Sequence, residues 1–246
     1  MIEQEMTYFL DSFLLGTSRR YRPMKYESLK ITFWLSAPIS LTHPWMHFDG
    51  LIGHLLTIDA LGQDFYLLPR KFPLSRMLRQ VKIPPFPIKH TRGMYHASAS
   101  IFDTGRKSLE IMYKKFEDRW AGGRRKVSKG MGYFRDYMIQ HIYIPTKTVI
   151  FYVMGDRKTL EQLCHLVTGL GDNTRVGWGA VRRHEIEDMQ QDWSIIKNGI
   201  AMRPIPEKLI EYTSLKVAVA WKPPYWAPEC VGICAPPGAE VKLKNG

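Results

Sequence analysis

From residue 29 to 36 the chain alternates strictly. Leu29, Ile31, Phe33 and Leu35 fall on one side, and Lys30, Thr32, Trp34 and Ser36 on the other. A period of two predicts a half-buried strand, ended by Ala37-Pro38. A loop with His43, Pro44, Trp45 and His47 leads to Asp49, the expected N-cap of a helix. Leu51, Ile52, Leu55, Leu56 and Ile58 form its apolar face, up to about Gly62. Residues 94–102 are expected as a strand, with small Ala97, Ser98, Ala99 and Ser100 packing tightly. Residues 148–153 predict another, rich in β-branched and aromatic side chains. Asp156 is placed to cap a helix in which Leu160, Leu163, Cys164 and Val167 recur at helical spacing. Gly169 and Gly171 stop that helix, and a Gly-rich loop to Gly179 precedes a strand over 180–187.

Strand, helix, Gly-rich loop and strand make half of a ferredoxin-like (RRM-like) α+β fold, and the segment from Leu29 to Gly62 opens the other half. Residues 1–26 read as an N-terminal extension. The core is expected over 27–200, with an inserted basic arm at about 104–138, and residues 201–246 as a C-terminal strand and an irregular, Pro-rich tail packing on it. The arm is both basic and aromatic: Lys114, Lys115, Arg119, Arg124, Arg125, Lys126, Lys129 and Arg135 are interleaved with Tyr113, Phe116, Trp120, Tyr133 and Phe134.

Charge sharpens this picture. The chain carries a formal net charge of +12, which favours polyanionic partners. Residues 70–100 contain no Asp or Glu, but do contain Lys89, His90 and Arg92 among other cations. No run approaches the roughly 20 apolar residues that span a bilayer, and acids stand where a secretory signal would be basic. No membrane association and a cytoplasmic location are therefore expected. Cys164, Cys230 and Cys234 suit neither a disulfide framework nor a complete zinc site, so no metal and no cofactor are expected.

The Gly-rich loop lacks the GxxxxGK[ST] pattern, and Thr174 stands where a dinucleotide fingerprint needs its third glycine. Glycines that let a phosphate backbone approach, the Arg175 fork and the Trp178 ring make it a candidate RNA contact. A connection that merely lets helix and strand pack is the competing reading. Lys/Arg residues alternating with rings in the arm match what single-stranded RNA needs. His90 and His96 lie in the acid-free region, as RNA contacts or as a general acid or base. GxSxG, HExxH and paired carboxylates for a two-metal nuclease are missing, which argues against an enzyme.

Val149-Ile-Phe-Tyr-Val-Met-Gly-Asp156, the Leu-containing helix and Gly169-Leu-Gly-Asp-Asn-Thr-Arg-Val-Gly-Trp-Gly-Ala-Val181 resemble the C-terminal glycine-rich signature of CRISPR-associated RAMP proteins. His47-Phe-Asp-Gly-Leu-Ile-Gly-His-Leu-Leu56, Met94-Tyr-His-Ala-Ser-Ala-Ser-Ile-Phe102 and Pro223-Pro-Tyr-Trp226 are similar to the type IV version of the Cas-five group, the third subunit of the Csf series. The resemblance implies a RAMP fold with a thumb-like arm. It also implies a guide RNA held by its 5′ handle, a filament of backbone RAMP subunits to cap, and a large-subunit-like protein. Target DNA near the protospacer-adjacent motif and, indirectly, a DinG-type helicase complete the implied partners. The carried-over loop positions are Gly169, Gly171, Arg175, Gly177, Trp178 and Gly179; the arm residues Arg124, Arg125, Lys126 and Lys129 are assigned from charge.

Two rivals stay open: a metal-independent CRISPR RNA-processing endonuclease of the Cas-six type using His90 or His96, and a small-ligand domain built on the glycine loop.

Overall fold

A computed structural model describes residues 24–62, 85–117, 129–132 and 135–244. The extension's first 23 residues, residues 70–84 of the acid-free stretch, and Arg124, Arg125 and Lys126 lie outside the described residues.

The protein is mixed α+β, with antiparallel sheets and two α-helices among the described residues. The predicted first strand is β1, Tyr26–Leu35, followed by a short β2, Ile39–Ser40. Helix α1 spans Phe48–Leu61. Two-residue strands β3 (His90–Thr91), β4 (Met94–Tyr95) and β5 (Ile101–Phe102) follow. The ribbon strands β6 (Ser108–Lys114) and β7 (Tyr137–Ile144) lead into β8 (Thr148–Asp156), helix α2 (Arg157–Cys164) and β9 (Val181–Asp188).

The central sheet has the order β5-β8-β1-β9 with every neighbour antiparallel. Period two decides which side chains are buried: Leu29, Ile31 and Phe33 of β1 and Val149, Phe151 and Val153 of β8 are all at or near zero exposure. Both helices contribute to the same core, through Phe48, Ile52, Leu55 and Leu56 of α1 and Leu160 and Leu163 of α2. Each such side chain stabilises by about 1.5–3 kcal/mol. Asp156 caps α2 as expected, accepting from the Thr159 backbone N–H at 3.0 Å. A Cβ on Gly155 would lie 2.6 Å from Leu160 Cδ1 and 2.7 Å from the Pro87 carbonyl, so the glycine before the cap is required by packing.

Three expectations differ from the structure. Asp49 is not the N-cap of α1: His47 holds that position without a side-chain cap bond, and Asp49 turns inward. Residues 94–102 do not form one strand. Pairing is confined to β4 and β5, and the segment between them makes single bridges, Ala97 to Val153 and Ala99 to His47. The C-terminal part is not irregular. It adds β10 (Ile196–Lys197), β11 (Ile200–Ala201), β12 (Ile205–Pro206), β13 (Ile210–Thr213), β14 (Val217–Ala220), β15 (Val231–Ala235) and β16 (Val241–Leu243). Met94, Ile205, Trp221, Cys234 and Val241 form part of a second core there. Prolines and glycines between these strands hide them from a periodicity reading, which needs longer runs.

Arg203 ties the two cores together. It is fully buried; Nη1 donates to the carbonyls of Tyr95 and Ala97, and Nη2 to Asp49 Oδ2 (3.3 Å), the Trp221 carbonyl and the Tyr225 hydroxyl. The Tyr225 hydroxyl lies 2.6 and 2.7 Å from the two Asp49 carboxylate oxygens, and its ring stacks on His47 at 3.8 Å. The Phe-Asp-Gly-Leu, Met-Tyr-His-Ala and Pro-Pro-Tyr-Trp segments, remote in sequence, thus meet on one guanidinium.

Candidate nucleic-acid interface

The Gly-rich loop is stitched to the end of β1 and to β2. The Gly179 N–H donates to the Pro38 carbonyl at 2.7 Å, Asp172 N–H to the Ser40 carbonyl at 2.7 Å, and Leu170 N–H to the Gly179 carbonyl at 3.0 Å. Asp172 Oδ2 accepts from both the backbone and the hydroxyl of Thr42. Two glycines are demanded by this closure. At Gly179, with φ +60°, a Cβ would sit 1.9 Å from the Leu170 carbonyl oxygen; at Gly171, with φ +83°, it would sit 2.4 Å from that of Ser40. Gly169 faces Thr174 closely, whereas Gly177 opens to free space. The Val176 and Gly177 N–H groups are also used internally, on Asn173 and Thr174. What the loop offers a polyanion is therefore chiefly side-chain chemistry: Arg175 is exposed and Trp178 half-buried.

Trp178 stands against the ribbon. Its ring centroid is 5.1 Å from that of Tyr143 and 6.3 Å from that of His141, both on β7. A cleft of about 380 Å³ opens there, lined by Pro38, Glu110, Tyr143, Val176, Gly177 and Trp178. Across the Ser36–Pro38 turn lies a second cleft of about 540 Å³, whose lining includes Trp34, Thr146, Lys147, Arg182 and Arg183. The Arg183 guanidinium sits 4.5 Å from the Trp34 ring centre, so it presents a cation on a π-face. Lys147, Arg182 and Arg183, with Trp34, Tyr143 and His141, were not singled out from sequence. The Arg-Arg pair directly after the loop was the signal available.

Lys89, His90 and Arg92 are elsewhere. Lys89 N–H bonds the Met154 carbonyl at the far end of β8, while the loop adjoins the end of β1 at Ser36. Met154 pairs with Ser28 and Thr148 with Trp34, which separates the two groups by about 20 Å along the sheet. Arg92 (φ 52°) and Gly93 (φ 80°) turn the β3–β4 hairpin, and the His90 ring lies 4.7 Å from that of Tyr95. Lys129 lies in the short described segment before β7, its carbonyl accepting from Asp136 N–H.

Beside that hairpin His96 links two groups. Its Nδ1 is 2.7 Å from Asp192 Oδ2 and its Nε2 2.6 Å from the Thr91 hydroxyl. A neutral imidazole so placed donates to the carboxylate and accepts from the hydroxyl. Burial works to raise the Asp192 carboxyl, but hydrogen bonds from His96 and Ser194 outweigh it and hold the group below its ordinary range. Lys197 Nζ lies nearby in sequence, 4.1 Å from the Trp193 ring and 5.0 Å from that of Tyr152. No cluster of three or more metal-type ligands occurs among the described residues, and no helix among them is long and apolar enough to cross a membrane.

Fold and surface together define an α+β protein with a cationic, ring-lined groove along one end of its main sheet. Residues 89–235, well over half of the chain, match the family model described as CRISPR type IV associated protein Csf3, and the chain belongs to that family. No curated protein matches it. Among solved structures, a chain of "Cryo-EM structure of the Type III-B Cmr-beta bound to cognate target RNA" is similar at 13% identity and a TM-score of 0.37. The match covers 76% of this chain and 66% of that one, slightly under two thirds of its length.

Proposed function

We propose that this protein is the guide-RNA-binding subunit of a type IV CRISPR ribonucleoprotein, holding the 5′ handle without cutting it. The observation that carries this reading is the pair of adjoining clefts: Trp178 and Tyr143 line one, Trp34, Lys147, Arg182 and Arg183 line the other, and exposed Arg175 stands in the loop beside them. Single-stranded RNA asks for that combination of phosphate neutralisation and stacking. The strand order β5-β8-β1-β9, with both helices on one face, supports a ferredoxin-like RAMP fold of the Cas-five group. In this reading the subunit works in the cytoplasm, caps a filament of backbone RAMP subunits and meets a large-subunit-like protein. It lies near the protospacer-adjacent motif of target DNA and acts with a DinG-type helicase only indirectly.

Incubating the purified protein with end-labelled repeat RNA in EDTA tests this in one gel. A shifted band with intact RNA is the expected result; no shift at low salt refutes it. The Thr91–His96–Asp192 relay favours one second reading, a metal-independent endonuclease, because a histidine oriented by a carboxylate is a ready general base. A cut in EDTA that His96→Ala abolishes selects that reading instead.

A further inference from the structure

Cations dominate the arm's sequence, yet its described stem is mostly apolar. Of the exposed large hydrophobic side chains, Leu109, Ile111, Met112, Tyr113, Met131, Tyr137, Met138, Ile139 and Ile142 all belong to this one ribbon and its end. Cross-strand pairing sorts most of them into two faces. Glu110, Met112 and Lys114 of β6 pair with His141, Ile139 and Tyr137 of β7. That is the face whose Glu110, His141 and Tyr143 look toward Trp178. On the other face Leu109 pairs with Ile142, Ile111 with Gln140 and Tyr113 with Met138. These side chains are 49–76% exposed where apolar, and Gln140 is the one polar member among the paired positions.

Among the described residues the ribbon's sheet has the order β2-β7-β6, with β6 at its edge. An isolated two-stranded ribbon is marginal in water. A contiguous apolar face, and a strand at the edge of a sheet, each mark a surface suited to another chain. Tyr113 is the one ring on this face; its other apolar members are Leu, Ile and Met, which give RNA neither stacking planes nor phosphate partners, so the face suits a protein better than the guide. Lys107 and Lys115 bracket β6, and Arg135 precedes β7, all three exposed.

We infer that the face formed by Leu109, Ile111, Tyr113, Met138 and Ile142 is a protein-docking surface, covered in the assembly by a neighbouring subunit with an apolar centre and an acidic rim, while the opposite face serves the RNA groove. The basic flanks select the acidic rim by charge complementarity, and the open edge of β6 allows the partner to add a strand. This inference rests on the reading of the protein as one subunit of a ribonucleoprotein.

The test measures amide hydrogen exchange across residues 108–114 in three states: the protein alone, with guide RNA, and in the particle reconstituted with guide RNA and the other protein subunits encoded with it. Slowing of at least tenfold only in the full particle is expected. The double variant Leu109→Glu, Ile111→Glu should keep the repeat-RNA band shift and fall at least tenfold in incorporation into the particle. Slowing by guide RNA alone would make this an RNA surface and overturn the inference. Unchanged exchange in the particle, or normal incorporation of the variant, overturns it equally. Loss of RNA binding by the wild-type protein is read separately on the gel and refutes the guide-binding function, not the docking face.

Discussion

At the scale of single residues, Arg203 and Gly179 are tightly constrained positions among the described residues. Arg203 is a fully buried cation whose charge is balanced by Asp49, with Tyr225 bridging them. Asp49→Ala leaves that guanidinium unpaired, and a loss of about 3–5 kcal/mol in urea unfolding is expected. Tyr225→Phe removes only a hydroxyl and should cost about 1–3 kcal/mol. In the loop, Gly179→Ala has no room for its methyl and should unfold the closure at a cost of at least about 3 kcal/mol, whereas Gly177→Ala meets open space and suffers only the strain of φ +99°, about 1–2 kcal/mol. A single denaturation series on the two variants checks the order. Glu110 is the carboxylate lining the Trp178 cleft. Glu110→Gln should tighten repeat-RNA binding a few-fold, because a like charge near phosphate costs about 1 kcal/mol even in water-like surroundings; weaker binding in a filter assay would place the RNA elsewhere.

At the scale of elements, the start of α1 carries a pH dependence. Burial pushes His47 down to about 4, against the pull of Asp49, and Tyr225 stacks on its ring. The unfolded chain protonates this imidazole at its ordinary value of about 6.5. The stability it contributes is therefore complete above that pH and lost as pH falls toward 4, by up to about 3 kcal/mol. His47→Phe should flatten the thermal-unfolding slope between pH 7 and pH 5; an unchanged slope would mean that His47 is not the group titrating. β1 was legible from its period of two, β8 from a run of β-branched and aromatic residues, and α2 from its helical spacing and the cap next to it. β6 and β7 were hidden by the opposite cause. Lys and Arg around the arm's tip dominate the composition, and the ribbon's apolar residues run consecutively, as at Ile111-Met112-Tyr113 and Tyr137-Met138-Ile139, so no period marks either strand.

At the scale of the whole molecule, described cations stand at both ends of the main sheet: Lys147, Arg182 and Arg183 line a cleft with Trp34 at one end, and Lys89 and Arg92 lie at the β3–β4 hairpin near the other. If Arg175, Lys147, Arg182 and Arg183 each neutralise a phosphate, replacing all four by Ala should reduce the log–log salt slope of single-stranded RNA binding by roughly 3. Replacing Lys89 and Arg92 should change it less if the guide occupies the loop end alone. Equilibrium binding over a salt series separates these outcomes; equal effects would mean one continuous RNA path along the sheet.

Local order in the chain was enough to specify the period of β1, the cap of α2, the Gly-rich turn and the surplus of cations, because each depends on residues a few positions apart. It could not bring Asp49, Tyr95, Arg203 and Tyr225 to one point, set Trp178 against Tyr143, or oppose an apolar face of the ribbon to the one that meets Trp178. Those relations join residues from tens to more than a hundred and fifty positions apart. They exist only once burial of the two cores has chosen which surfaces meet, and that choice follows from packing rather than from periodicity.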